Sequence, residues 1–295
     1  MSDSSLVFDR VLGRARLARA LAQGYPDFLL RRAAEDLAER LGAVLREFAV
    51  AADLGTPLPV VAPALAGRAG RLLRVAEVEG TPADLVGDLE RLPIAAGSLD
   101  LAVSLLALHG VNDLPGALVQ IGRALRPDGL FMGCLLGGRS LQELRQALLE
   151  AESETTGGVS PRVAPFADLR DLGGLLQRAG FALPVVDSEI VTVRYRDAFG
   201  LFRDLRAMGW ANALAARRKT PLRCETLLRA AALYAERFAD PDGRLPATFE
   251  FVWVSGWAPH ESQQKPLKPG SAKTRLADAL GVPEIKTGEK PGGEG

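Results

Sequence analysis

The spacing of apolar residues changes along the chain, and each change predicts a different kind of element. Across residues 26–48, Phe28, Ala33, Leu37, Leu41, Leu45 and Phe48 recur at helical spacing, with Arg and Glu filling the other face. This predicts an amphipathic helix. From residue 48 onward, short apolar runs alternate with helical patterns. "FAVAADL" (48–54) predicts a buried strand, "RLLRVAEV" (71–78) a second, and "ADLVGD" (83–88) a short third. "LDLAVSLLALH" (99–109) is a nearly unbroken apolar run and predicts a fourth strand ending at its histidine. "LPGALVQIGRAL" (114–125) reads as a helix with Leu118, Ile121 and Leu125 on one face, and "RPDG" (126–129) as a turn. "LFMGCLL" (130–136) predicts a fifth strand.

Beyond residue 138 the pattern predicts a helix over "RSLQELRQALLEAESE", then a Gly-, Pro- and Ser-rich loop at 155–166. A helix at "DLRDLGGLLQRAG", a strand at "EIVTVRY" (189–195) and helices at 197–209 and 220–239 follow. "TFEFVWVSGWA" (248–258) alternates like a late strand. Near-continuous apolar strands separated by helices imply a parallel sheet covered on both faces. Four regions result. They are an N-terminal helical extension (1–47), a core (48–138), a C-terminal part carrying the loop and late strands (139–260), and a tail (261–295) rich in Pro, Lys, Gly and Ser, expected to be disordered.

Composition narrows the partners. The chain has 295 residues, 47% of them hydrophobic, enough for a sizeable core. Its 36 basic and 36 acidic residues cancel, so no global field points to nucleic acid. Cys134 and Cys224 form no C-x-x-C pair and fit a reducing compartment. No secretory signal and no long apolar span is visible. The expectation is a cytoplasmic protein without a transmembrane segment, with peripheral membrane association left open.

The chemistry-bearing stretch is 87–133, "GDLERLPIAAGSLDLAVSLLALHGVNDLPGALVQIGRALRPDGLFMG". An Asp precedes an "LP" pair, "SLDLAVS" forms the fourth strand, and a His closes it. "VNDLPGAL" then starts a helix, and "LRPDGLF" leads into the fifth strand. In this order the stretch resembles class I S-adenosylmethionine-dependent methyltransferases. The phrases "GGRSLQELRQALLEAE", "GGVSPRVAPFADLRDLGGLLQRAGF", "DLRAMGWAN" and "DGRLPATFEFVWVSGWAPHESQ" narrow the resemblance. With them the chain is similar to the family of a mitochondrial complex I assembly factor with a methyltransferase fold. The early "FDR" and the Ala/Arg-rich composition suggest its bacterial counterpart, over roughly residues 7–264. The resemblance implies an α/β fold: a class I methyltransferase-like, Rossmann-type sheet covered by helices, with the N-terminal helical extension and C-terminal α+β additions. It also implies a protein partner, a respiratory complex I subunit, and hydroxylation of an arginine. Biotin-pathway methyltransferases that esterify malonyl-acyl carrier protein are the nearest other resemblance.

A class I methyltransferase holds S-adenosyl-L-methionine with a Gly-rich turn after the first strand, an acid ending the second and a polar residue after the third. By resemblance, Asp53 and Gly55 fall in that turn, Glu77 is the ribose acid, and Asp88 with Leu89 is the adenine contact. Two departures argue against ordinary cofactor binding. Thr56-Pro57-Leu58-Pro59 stand where further glycines belong, and proline has no N–H to donate. These residues are expected to close the pocket. Only six residues separate Val78 from Leu85, too few for a helical crossover between parallel strands.

The remaining candidates carry two readings each. His109 is a base, an iron ligand or a structural residue. A two-His-one-carboxylate triad would need His260 beside it, and no metal is expected. Asn112 and Asp113 contact substrate or cap the following helix, the cap being favoured. Gly158, Ser160 and Pro161 lie in the long loop, which serves as a lid or partner-docking segment or as a plain connection. Trp210, Trp253 and Trp257 fit core packing, and Cys134 a buried apolar position. Two functions stay open: an enzyme, either a methyltransferase or an arginine hydroxylase, and a non-catalytic assembly factor that has lost its cofactor.

Overall fold

The computed structural model describes residues 6–65 and 67–263. Its sheet has seven strands: β1 Phe48–Leu54, β2 Ala69–Ala76, β3 Leu85–Val86, β4 Leu99–Leu105, β5 Leu125–Leu136, β6 Ala182–Tyr195 and β7 Leu245–Trp257. Their order is β3-β2-β1-β4-β5-β7-β6. The first five strands are parallel, and β7 lies antiparallel between β5 and β6. This is the class I methyltransferase-like topology expected from the resemblance.

Helices cover both faces because strand side chains alternate between them. On one face Leu101, Val103 and Leu105 of β4, with Leu130, Met132 and Cys134 of β5, pack with Leu37 and Leu41 of α2 (Phe28–Gly42). Side chains of α5 (Gln142–Thr156), α7 (Ala198–Ala207) and α8 (Cys224–Phe238) complete that layer. On the other face Ala102, Phe131 and Leu135 meet Leu118 and Ile121 of α4 (Leu114–Ala124) and Leu172 and Leu176 of α6 (Leu169–Arg178). β4 is buried along its whole length, as its unbroken apolar run requires.

Several boundaries differ from the sequence expectation. The helix foreseen over 26–48 ends at Gly42; Leu45 is 100% exposed, and Phe48 opens β1. β4 stops at Leu105, where Leu106 turns to φ +50°, so His109 lies in a separate 3-10 turn, Leu108–Gly110. "RPDG" is a kink within β5: Leu125 pairs with Leu99 and Leu130 with Leu101. β6 begins at Ala182 rather than 189, because pairing with β7 extends it. Within the N-terminal helical extension expected over 1–47, a first helix whose bounds the apolar pattern did not give, α1 (Arg10–Gln23), opens the fold. Its one buried residue is Ala20, so it carries no apolar stripe to betray it, and Asp9 caps it by accepting from the Leu12 amide.

The shortened connection is real. β2 and β3 are parallel, yet residues 77–84 between them contain no helix. Among the described residues between β1 and β2 the one helix is the four-residue α3 (Val61–Ala64). Among the described residues no helix is long and apolar enough to cross a membrane. The expected disordered tail lies, from residue 264, outside the described residues.

Candidate functional site

The carboxyl ends of the parallel strands point to one edge of the sheet, and the candidate residues collect there. Gly55 follows β1 with φ +77°, and its amide donates to the Val75 carbonyl at 2.8 Å. A Cβ at Gly55 would sit 2.7 Å from Leu89 Cδ1, so Leu89 packs directly against the turn and is buried. Thr56 Oγ1 accepts from the Leu105 amide at 3.1 Å, tying the turn to β4.

One buried arginine, unmarked in the sequence reading, organises both departures. Arg74 Nη2 donates to the carbonyls of Thr56 (2.7 Å) and Pro57 (2.9 Å). Its Nη1 donates to Thr81 Oγ1 at 2.7 Å and to the Pro82 carbonyl. The proline-bearing turn and the helix-less connection are thus held by the same guanidinium. Asp84 reinforces the join by accepting from the Arg74 amide at 2.7 Å. Arg74 Nε stands 3.3 Å from Asp53 Oδ2, an ionic contact without hydrogen-bond geometry. Asp53 is 1% exposed, and burial pushes its carboxyl up to about 7, against the opposing pull of Thr56 and Arg74.

The candidate ribose and adenine residues meet α1. Arg10 Nη2 donates to Glu77 Oε1 at 2.7 Å, and Arg10 Nη1 lies 2.6 Å from Asp88 Oδ1 and 2.9 Å from Glu90 Oε2. Arg14 adds a bond to the Gly87 carbonyl at 3.0 Å. Burial raises Glu77 above the usual carboxylate range, although Arg10 and Arg14 pull the other way. For Asp88, burial is outweighed by the Glu90 amide, Arg10 and Arg14, and its carboxyl is held low. Glu90 is held low in the same way, by the Asp113 and Asn112 amides together with Arg10.

Asn112 also faces the N-terminal segment. Its Oδ1 accepts from the Phe8 amide (2.7 Å), and its Nδ2 donates to the Phe8 carbonyl (3.1 Å). Asp9 N–H donates to the Ala213 carbonyl at 2.8 Å, so residues 7–9 bridge Asn112 and the 213–215 segment. Asp113 caps α4 by accepting from the Gly116 amide at 2.8 Å.

These elements enclose a cavity of about 910 Å³. Gly55, Pro57, Glu77 and Arg10 line it, so the turn borders a cavity and does not close it, contrary to the expectation for Thr56 to Pro59. His109 also lines it, edge-on to Phe166 and Trp210 at 5.8 and 5.6 Å between ring centres. Its buried Nδ1 has no hydrogen-bond partner. Burial lowers its pKa to about 4, so the ring is neutral at physiological pH.

The long loop forms another wall. Glu152 of α5, 1% exposed, accepts from the Ser160 amide (2.8 Å), from Ser160 Oγ and from Arg162 Nη2 (2.6 Å). The Ser160 hydroxyl is therefore engaged inside the fold. The Gly158 carbonyl accepts from Thr156 Oγ1, and the Pro161 carbonyl accepts from Asn212 Nδ2. Arg162, Val163 and Phe166 face the cavity. Of the sequence candidates, Gly55, Glu77 and His109 line the cavity. Asp88 is joined to Glu77 through Arg10, Leu89 packs against Gly55, Asp53 is buried next to the turn, and Asp113 and Ser160 are left in internal bonds. Among the described residues no cluster of three or more His, Cys, Asp or Glu is arranged to hold a metal.

Comparison with known proteins agrees with this architecture. Residues 65–133 match the methyltransferase domain family, a match that starts beyond the β1 turn. The chain is 37% identical to the mitochondrial arginine-hydroxylase NDUFAF5 of Danio rerio, over 95% of this chain and 92% of that protein. It is 40% identical to the Homo sapiens NDUFAF5, over 92% and 83%. It is also 40% identical to the malonyl-[acyl-carrier protein] O-methyltransferase of Laribacter hongkongensis, over 68% and 64%. Among solved structures, the YcgJ protein of Bacillus subtilis superposes with a TM-score of 0.52 at 12% identity, covering 77% of this chain and 99% of that one.

Proposed function

The chain belongs to the family of the arginine-hydroxylase NDUFAF5, and from that membership we propose that it acts on an arginine of a protein partner, a subunit of respiratory complex I. The observation that carries this reading is the grip of Glu77, Asp88 and Glu90 on a guanidinium, that of Arg10. Three carboxylates converging on a planar, five-donor fork make a wall matched to arginine in charge and geometry. Arg10 fills that wall while α1 is docked. A partner's arginine reaches it when the N-terminal segment yields. His109 then offers a neutral ring with a free Nδ1 acceptor in the same cavity.

Methyltransferase domains of this fold take S-adenosyl-L-methionine as a class, but the residues here do not fit it in the ordinary way. Glu77 is paired with Arg10, Pro57 and Pro59 offer no N–H, and Leu89 fills the space at Gly55. The Gly55 amide is already bonded to Val75. These features favour a chain that acts on or assembles its partner without tight S-adenosyl-L-methionine binding. The non-catalytic assembly factor is the second reading, supported by the proline-bearing turn. We place the protein in the cytoplasm, a reading supported by its two free cysteines.

Calorimetry with S-adenosyl-L-methionine tests the cofactor reading: no heat at millimolar cofactor is expected, and micromolar binding abolished by Asp88→Ala would overturn it. Mass spectrometry of complex I subunits from a deletion strain tests the activity. Loss of an arginine modification supports the hydroxylase. Persistence of every such modification leaves the assembly-factor reading in its place.

A further inference from the structure

We propose that the mouth of the cavity between α1 and α7 binds the anionic head of an amphiphile, a carboxylate or a phosphate, whose apolar chain lies in the cavity behind it. This goes beyond the arginine-directed reading and does not depend on it. Arg16 and Arg19 of α1 and Arg206 of α7 line the same cavity as Arg10 and Glu77. Arg19 stands nine positions after Arg10, roughly 13 Å further along the helix at 1.5 Å per residue. The basic mouth is therefore well separated from the acidic wall.

The mouth has an unbalanced charge. Burial lowers the Arg16 pKa, and the positive charges of Arg217, Arg19 and Arg206 lower it further against the pull of Asp9, which itself lies 3.1 Å from Arg217. Arg16 is fixed in place because its Nη1 donates to the carbonyls of Ala211 and Asn212. The side chains of Arg19 and Arg206 are exposed and make no hydrogen bond or ion pair within the described residues. Each of these two guanidiniums adds positive charge around the fixed Arg16, which an anion would offset, and arginine matches carboxylate and phosphate oxygens as a fork.

Behind this rim the wall turns apolar. Leu144, Leu148 and Leu205 line the cavity and are buried, each less than 10% exposed, with Leu17 and Phe202 beside them. A volume of about 910 Å³ lies within the range of small-molecule sites, which combine a mainly apolar lining with a few placed polar groups. A free inorganic anion would use only the rim, and an uncharged hydrocarbon only the interior. An anionic amphiphile uses both.

The test is calorimetry on the full chain with decanoate, decyl phosphate, decanol and inorganic phosphate. Decanoate and decyl phosphate are expected to bind at least tenfold more tightly than decanol or inorganic phosphate. The double variant Arg19→Ala/Arg206→Ala is expected to lose at least tenfold for both charged ligands. Because these side chains are exposed and unpaired, its thermal midpoint without ligand should not fall. Vesicles containing phosphatidylglycerol distinguish the sources. Vesicle binding lost in the double variant identifies a membrane lipid, and binding of the soluble amphiphiles alone identifies a free one; either result supports the proposal. Equal affinity for decanol and decanoate, equal affinity for phosphate and decyl phosphate, or wild-type affinity in the double variant would overturn it.

Discussion

Replacing Arg10 with alanine tests the feature on which the functional reading rests. The change removes one guanidinium and leaves Glu77, Asp88 and Glu90 facing one another, with side-chain exposures of 14, 33 and 23%. Stranding a fully buried charge costs about 3–5 kcal/mol, and partial exposure here scales that to about 2–3 kcal/mol at pH 7.5. In a fold of this size that lowers the midpoint by roughly 4–12 °C. The pH dependence follows from the shifts. Asp88 and Glu90 are held below their unfolded values, so they stabilise the fold above those values and lose that contribution as pH falls through the folded ones. Glu77 is already raised by burial, and without Arg10 it takes up a proton more readily. The Glu77 effect shrinks the cost of Arg10→Ala toward pH 4.5, and the loss from Asp88 and Glu90 adds to that decrease below that pH. Urea unfolding at pH 7.5 and 4.5 measures it, with an unchanged m-value expected. Adding Glu77→Gln should recover part of the loss by removing the most buried stranded charge. A cost below about 0.5 kcal/mol at pH 7.5, the same cost at both pH values, or a further loss from Glu77→Gln would refute the reasoning.

Three further outcomes are expected. Asp53 in the fold titrates at about 7 against an ordinary 3.8, so the native protein binds its proton more tightly than the unfolded chain between those values. Its contribution therefore falls as pH rises through that window, and Asp53→Asn should flatten the stability profile there, read by denaturation at stepped pH. Asn112→Ala removes two hydrogen bonds to Phe8 and should cost about 1–2 kcal/mol, with faster proteolytic cleavage near residues 7–12 as the readout. Gly55→Ala forces a Cβ to 2.7 Å from Leu89 and 3.1 Å from Ala107 at a positive φ, and should lower stability by about 2–3 kcal/mol by calorimetric scan.

The parallel strands of the sheet were legible in the chain's own pattern. Apolar runs such as 48–54 and 99–105 carry their own signal, because a strand buried on both faces must be apolar throughout. The sequence also located the loss of the crossover helix, since six residues cannot hold one whatever the rest of the chain does. Asp113 as a helix cap was legible for the same reason: the bond it makes is three residues long. What the sequence left open was every decision made across long separations. Arg10 meets Glu77 and Asp88 from 67 and 78 positions away, and nothing in an arginine-rich helix without an apolar stripe marks one arginine above its neighbours. Arg74, flanked by strand residues, gives no local hint that it ties the turn at Thr56 and Pro57 to the connection at Thr81 and Pro82. The prolines suggested a closed pocket; whether a cavity survives depends on the walls that α1, the 157–166 loop and α7 bring to it. Local pattern reports how each segment buries its own surface, whereas ion pairs and cavities depend on which segments meet, and that is fixed only when the chain is folded.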